Sequence, residues 1–286
     1  MEKHIAQRMQ TGKPRGLRLV ALAILAATAL GARAQQAAGG DPAELAKALS
    51  NPVADLVSVP FQFNWEQGVG YQDATRMVLN VPPVVPFTLN DDWNLIGRWI
   101  MPFVSQPSLA PGLDSTFGLS DVLFSAFFSP RGSGGVTWGV GPAVSLPTTD
   151  DPTLGSDKWS AGPTFVMLKQ SGPWTYGFLA NQLWSFADAS DADRPDVNKT
   201  FLQPFLAYAR PSGVTFSVNS EATYDREAAD GDEWTFPINL MVSKVTRFGP
   251  FPFQVAGGFG YYAESPTIGP ERKIRIAFTL ILPRTG

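Results

Sequence analysis

"WGVGPAVSLP", residues 138–147, admits two readings. Its glycines suggest a phosphate-binding loop, whereas its larger residues, Trp138, Val140, Pro142, Val144 and Leu146, fall on every second position. A phosphate loop needs a further glycine and a following helix, and here the glycine is missing and Pro142 would interrupt the helix. Period two belongs to a strand with one apolar face. We read the stretch as such a strand, with Trp138, Val140 and Val144 on one face and Gly139 and Gly141 on the other.

The same alternation recurs on both sides. Upstream it marks Phe61, Phe63, Trp65; then Met77, Leu79, Val81; then Trp93, Leu95, Trp99, Met101, Phe103; then Val122, Phe124, Phe128. Downstream it marks Trp159, Phe165, Met167; then Trp174, Tyr176, Phe178, Trp184; then Val214, Phe216, Val218. Phe236, Ile238, Leu240, Val242 follow, then Phe253, Val255, Phe259, Tyr261, and finally Ile274, Ile276, Phe278, Leu280, Leu282. Residues 200–209 are apolar on both faces and form a further strand of uncertain phase. The count is twelve strands of roughly ten residues, the length that crosses an outer membrane when tilted.

Connections alternate as well. Short turns such as "PRGSG", "QSG" and "PSG" follow every second strand, and longer polar loops such as "TTDDPTLGSD" and "DASDADRPDVN" follow the others. A closed barrel with tight periplasmic turns and longer extracellular loops has this organisation, whereas a soluble sandwich has no reason to sort loop length by parity. The loops 148–157, 188–199 and 226–233 are expected outside the cell. Seven of eight tryptophans lie near strand ends, forming two interfacial girdles. Pro102, Pro142, Pro163, Pro204 and Pro237 fall inside strands, where bulges are expected.

The first residues set the compartment. Lys3, Arg8, Lys13, Arg15 and Arg18 precede the apolar run "LVALAILAATALGA", and "ARA" ends at Ala34. Residues 1–34 read as a secretory signal peptide, residues 35–55 as a short helical N-terminal segment stopped at Pro52, and residues 56–286 as the barrel. The leader removes six of the 22 lysines and arginines but only Glu2 of the 25 acids, leaving a net charge of about −8. Nothing in that balance suggests a nucleic-acid partner, and none is expected. No cysteine is present, so no disulfide or lipidated cysteine is available. The one histidine, His4, lies in the leader, which argues against histidine-dependent catalysis and leaves carboxylate chemistry open. No metal or cofactor site is expected.

The blocks "NPVADLVSVPFQFNW" (51–65), "DDWNLIGRWIMPF" (91–103), "GLSDVLFSAFFSP" (118–130), "WGVGPAVSLPT" (138–148), "GPWTYGFLANQLWSFA" (172–187) and "LQPF" (202–205), in this order, carry a resemblance. They resemble the bacterial family named for the MetA pathway of phenol degradation, whose members are often labelled transporters or misnamed neuromedin U. The resemblance spans nearly all of the chain beyond the leader. It implies an outer-membrane β-barrel connected by name with aromatic catabolism, and it supplies no catalytic residues.

Three functions are compatible with these features: an outer-membrane channel or transporter for small molecules, including aromatic or hydrophobic ones; a structural barrel with a plugged lumen; and a carboxylate-based barrel enzyme. Strand number favours the first, because eight strands enclose a filled interior and sixteen or more an open pore, with twelve between. Parity places Gln62, Asn64, Asn94, Arg98, Asp121, Asn181, Gln203, Asn219, Glu221 and Arg275 in the lumen, with Lys244 on the lipid side near a turn. Arg98 and Asp121 are expected to face each other and to form a charged constriction. The partners expected are outer-membrane lipid and a small solute.

Overall fold

The computed structural model describes residues 41–132, 135–149, 151–190, 193–248 and 251–282; the proposed leader lies outside them. A helix, α1 (Pro42–Leu49), precedes fifteen strands. These are β1 (Val57–Val69), β2 (Ala74–Val81), β3 (Val84–Thr88), β4 (Trp93–Gln106), β5 (Thr116–Leu119), β6 (Val122–Pro130), β7 (Val136–Leu146) and β8 (Lys158–Ser171). They continue with β9 (Trp174–Asp188), β10 (Asn198–Ala209), β11 (Val214–Ser220), β12 (Ala222–Asp225), β13 (Trp234–Phe248), β14 (Phe251–Glu264) and β15 (Arg272–Leu282). Three pairs, β2/β3, β5/β6 and β11/β12, are single staves broken in two, so the wall has twelve staves. Every neighbour is antiparallel, and β1 closes the barrel on β15 from Val57 opposite Leu282 to Gln67 opposite Arg272. Closure leaves no unpaired strand edge, the condition for crossing hydrocarbon with strands.

Most staves sort their side chains as the alternation requires. On β15, Ile274, Ile276, Phe278 and Leu280 are exposed on the outside, while Lys273, Arg275, Ala277, Thr279 and Ile281 are buried within. On β13, Leu240 is 59% exposed and its neighbour Asn239 is 1% exposed. Lys244 is exposed on the outer face, as expected. A belt of exposed Phe, Leu, Ile, Val, Met, Trp and Tyr surrounds the wall, too large an apolar surface for water and matched to lipid. A groove of about 730 Å³, lined in part by Met167, Phe178, Leu206, Val218 and Ile238, lies along it. Aromatic pairs mark stave ends: Trp93 with Trp138 and Trp174 with Tyr208 at the short-turn end, Tyr224 with Trp234 at the long-loop end.

The in-strand prolines are accommodated in two ways. Pro237 sits at a bulge against β14. Pro102 faces the β5/β6 break, where the register on β4 shifts by one residue, and Pro204 lies opposite the β11/β12 break. Pro142 and Pro163 differ from expectation: they pair directly across β7 and β8 with no bulge between. The ladder pairs are missing instead on the outer flanks, between Ser125–Ala143 and Phe128–Val140 and between Ala161–Trp184 and Thr164–Asn181. Two prolines can oppose one another when the donors they lack would have pointed away, toward β6 and β9. Glycine then allows the neighbouring backbone to close in: a Cβ on Gly141 would lie 1.8 Å from the Ala126 carbonyl oxygen, and one on Gly162 1.9 Å from that of Gln182. This is the role of the second glycine of "WGVGPAVSLP". The first, Gly139, makes room for Phe127, which is fully buried in the lumen.

Candidate functional site: the lumen

Part of the lumen is filled by the chain's own N-terminal segment. Asp41 caps α1 by accepting from the Ala43 N–H, and Pro42 occupies the first turn, where its missing donor costs nothing. The apolar face of α1, Leu45, Ala46 and Leu49, packs on inward Ala209 and Val245. Gly213, in the β10–β11 turn with a φ of 76°, lies against Pro42, which fixes α1 at the short-turn end. Among the described residues a single hydrogen bond joins α1 to the wall, from Gln170 Nε2 to the Lys47 carbonyl oxygen at 2.9 Å. Beyond the helix, Val53 enters an apolar cluster on one wall with Ile96, Phe127, Val166, Leu168 and Leu179, flanked by Val84, Phe201 and Phe205.

The opposite wall is charged. Arg275 donates from Nη1 and Nη2 to the two carboxylate oxygens of Glu221 at 2.8 and 2.9 Å, and from Nε to Asn64 Oδ1 at 2.6 Å. Lys273 Nζ reaches Glu221 Oε2 at 2.9 Å and lies over the Tyr262 ring, 5.5 Å from its centroid. Toward the long loops, Glu66 accepts from the Tyr262 hydroxyl at 2.9 Å and from Arg76 Nε at 2.7 Å. Asn64 Nδ2 donates to the carbonyls of Gln62 and Val78. The belt forms because Glu221 sits in the gap between β11 and β12, and because Gly260 leaves space over which Asn239 and Lys273 extend. In the belt, among the described residues, four cations, Arg76, Arg98, Lys273 and Arg275, are set against two carboxylates, Glu66 and Glu221, an excess of two positive charges.

Between α1, the following segment and this belt lies a cavity of about 260 Å³, lined by Leu49, Leu56, Gln62, Arg98, Asn219 and Arg275 among others.

The residues expected in the lumen divide into groups. Asn64, Glu221 and Arg275 meet directly. Gln62, Arg98 and Asn219 line the cavity, and Asn219 accepts from Asn239 Nδ2 at 2.8 Å. Asn181 is buried inward on β9, while Asn94 and Gln203 hold inward positions apart from the belt. Asp121 departs from expectation. Arg98 pairs with Ser125, four residues along the stave and about 13 Å from the level of Asp121 at roughly 3.3 Å per residue. Asp121 is instead at the long-loop mouth, where its Oδ2 accepts from the Ser156 N–H and hydroxyl at 2.7 and 2.8 Å. Parity gives the face and not the level along the stave; the one-residue register shift opposite Pro102 accounts for one of the four residues, and the length of β4 beyond Arg98 for the rest. Lys273, Glu66, Arg76 and Tyr262 are site residues that the reading from sequence passed over, although all lie on inward parity beside Ile274, Trp65, Met77 and Tyr261.

The long-loop mouth is tied together by its loops. Asp151 accepts from the Thr153 N–H and hydroxyl and from the Thr116 hydroxyl, which hold its carboxyl below the usual carboxylate range. Asp157 accepts from Ser190, and Lys158 pairs with Asp188 and Asp196. Arg194 donates to the Pro152 carbonyl oxygen.

No protein-family model and no curated protein matches the sequence. Solved structures match the fold. An outer membrane channel from Pseudomonas putida F1 is 16% identical, with 79% of this chain and 96% of that one covered and a TM-score of 0.60. The NanC porin is 11% identical, with 80% of this chain and all of that one covered and a TM-score of 0.51. The chain therefore has the fold of a twelve-stranded transmembrane β-barrel of the outer-membrane type. Its lipid-matched belt and closed wall place it in the outer membrane of a Gram-negative bacterium.

Proposed function

We propose that this barrel is an outer-membrane channel for small amphipathic molecules, including aromatic ones, held closed by a removable N-terminal plug. The observation that carries the reading is the presence of a helix inside the wall. A helix with its side chains is about 10–12 Å across, so the wall alone encloses a lumen of that width, whereas a purely structural small barrel fills its interior with its own side chains. Among the described residues the helix itself is held to the wall by one hydrogen bond and a small apolar contact, with Val53 beyond it as a further apolar anchor. Substrate class follows from the two faces of the lumen, one apolar around Phe127, Leu168 and Phe205, the other charged around Glu221 and Arg275. The resemblance to the phenol-degradation family supports the same reading.

The plug also favours a second reading, a structural barrel that never opens. Outer-membrane vesicles from cells with and without the chain separate the two when uptake of labelled benzyl alcohol is compared with that of arabinose. The channel reading expects several-fold faster benzyl alcohol uptake with the chain present and little change for arabinose. Equal uptake of both compounds with and without the chain would establish the structural reading.

A further inference from the structure

Arg98 is the one member of the lumenal charge set without a hydrogen-bonded or ion-paired acceptor among the described residues. It lines the 260 Å³ cavity. Glu221 acts on it electrostatically, but both oxygens of that carboxylate are already taken by Arg275 and Lys273. A guanidinium brought into a partly enclosed site without a counter-charge is costly, and its planar fork of donors matches a carboxylate in a bidentate manner. The region carries two positive charges in excess, so an arriving anion would lower the net charge of the lumen. The same cavity is lined by Leu49, Leu56, Val84 and Met241, which offer apolar surface, and by Gln62 and Asn219 as further polar groups; Val84 lies directly opposite Arg98. Its volume lies below the roughly 300–1,000 Å³ of pockets for drug-sized ligands and suits one ring-sized molecule.

We propose that this cavity is a binding site for a small organic monocarboxylate of aromatic size, its carboxylate on Arg98 and its ring against the Leu49–Leu56 side. The proposal rests on the channel reading for its biological sense, since the site would then select solutes on their way through, but its test does not depend on conduction. Arg275 is not the primary contact, because its donors are already committed to Glu221 and Asn64.

The test is equilibrium binding to the purified full chain in detergent, by titration calorimetry, with benzoate, benzyl alcohol and benzylammonium as probes. Benzoate is expected to bind at least tenfold more tightly than benzyl alcohol, and benzylammonium not at all. Arg98→Gln should abolish the preference while leaving benzyl alcohol binding unchanged, with heat-modifiable gel mobility as the check on folding. Should that variant fail to fold, Arg98→Lys, which keeps the charge but loses the fork, should weaken benzoate binding several-fold and leave benzyl alcohol alone. Equal affinity for benzoate and benzyl alcohol, or a preference that survives either substitution in a folded barrel, overturns the site. A folded barrel lacking residues 41–52 that leaves the bilayer silent, while the full chain binds benzoate at Arg98, refutes the channel and keeps the site; a conducting barrel whose full chain is indifferent to benzoate does the reverse.

Discussion

Replacing Glu221 by glutamine tests whether the charged belt is a dry closure or a hydrated lining. The carboxylate accepts three charge-assisted hydrogen bonds, two from Arg275 and one from Lys273. Its partners are deeply buried, with side chains 8% and 3% exposed, whereas Glu221 itself is 23% exposed. Removing one member of a buried ion pair costs about 3–5 kcal/mol, because the partner charge is left without compensation. Partial exposure of Glu221 moves the expectation to the low end, about 3 kcal/mol. A pair that water screens freely would lose only about 0–1 kcal/mol. Urea unfolding in lipid vesicles, followed by tryptophan fluorescence, measures the difference. Adding Lys273→Met to Glu221→Gln should recover part of the loss, since one stranded cation is then removed. A loss below about 1 kcal/mol for Glu221→Gln would refute the dry belt.

Other outcomes follow from the same geometry. Leu240→Arg places a charge on the lipid face and should cost about 2–4 kcal/mol near the midplane, read as a lower urea midpoint in vesicles. Gly141→Ala should cost about 1–3 kcal/mol by overpacking against the Ala126 carbonyl, whereas Gly257→Ala, which meets nothing within 4 Å, should be close to neutral in the same titration. Asp151 is held below its ordinary pKa by Thr153 and Thr116, so its contribution to loop order is present above the ordinary carboxylate range and is lost as pH falls toward the lowered value. Hydrogen exchange in residues 151–157 should therefore rise on acidification, and Thr116→Val should move that rise to higher pH.

The wall was legible because lipid outside and lumen inside impose period two on nearly every stave. Leu240 and Asn239 differ by one position and by almost the full range of exposure. The inward set was legible for the same reason, and Lys273 and Glu66 could have been drawn from it. Which inward residues meet was not legible, because Glu221 and Arg275 lie on staves three apart and only the curvature of the closed barrel brings them together. Asp121 was misplaced because alternation gives a face and not a level: β4 runs on to Gln106, so Arg98 lies opposite Ser125, and the register shift at the broken stave adds only one residue. The helix over "DPAELAKAL" could be read from Asp41, Pro42 and its helix formers, but its amphipathic face fits any apolar surface and carries no sign that the surface is Ala209 and Val245 inside the barrel.

Single-channel conductance of the full chain, beside a variant lacking residues 41–52, tests the central claim that a lightly held helix closes a real passage. The account predicts small or intermittent conductance steps for the full chain and larger, sustained steps once the plug is removed, with the barrel still folded by heat-modifiable mobility. A folded, plug-deleted barrel that leaves the bilayer silent would contradict it.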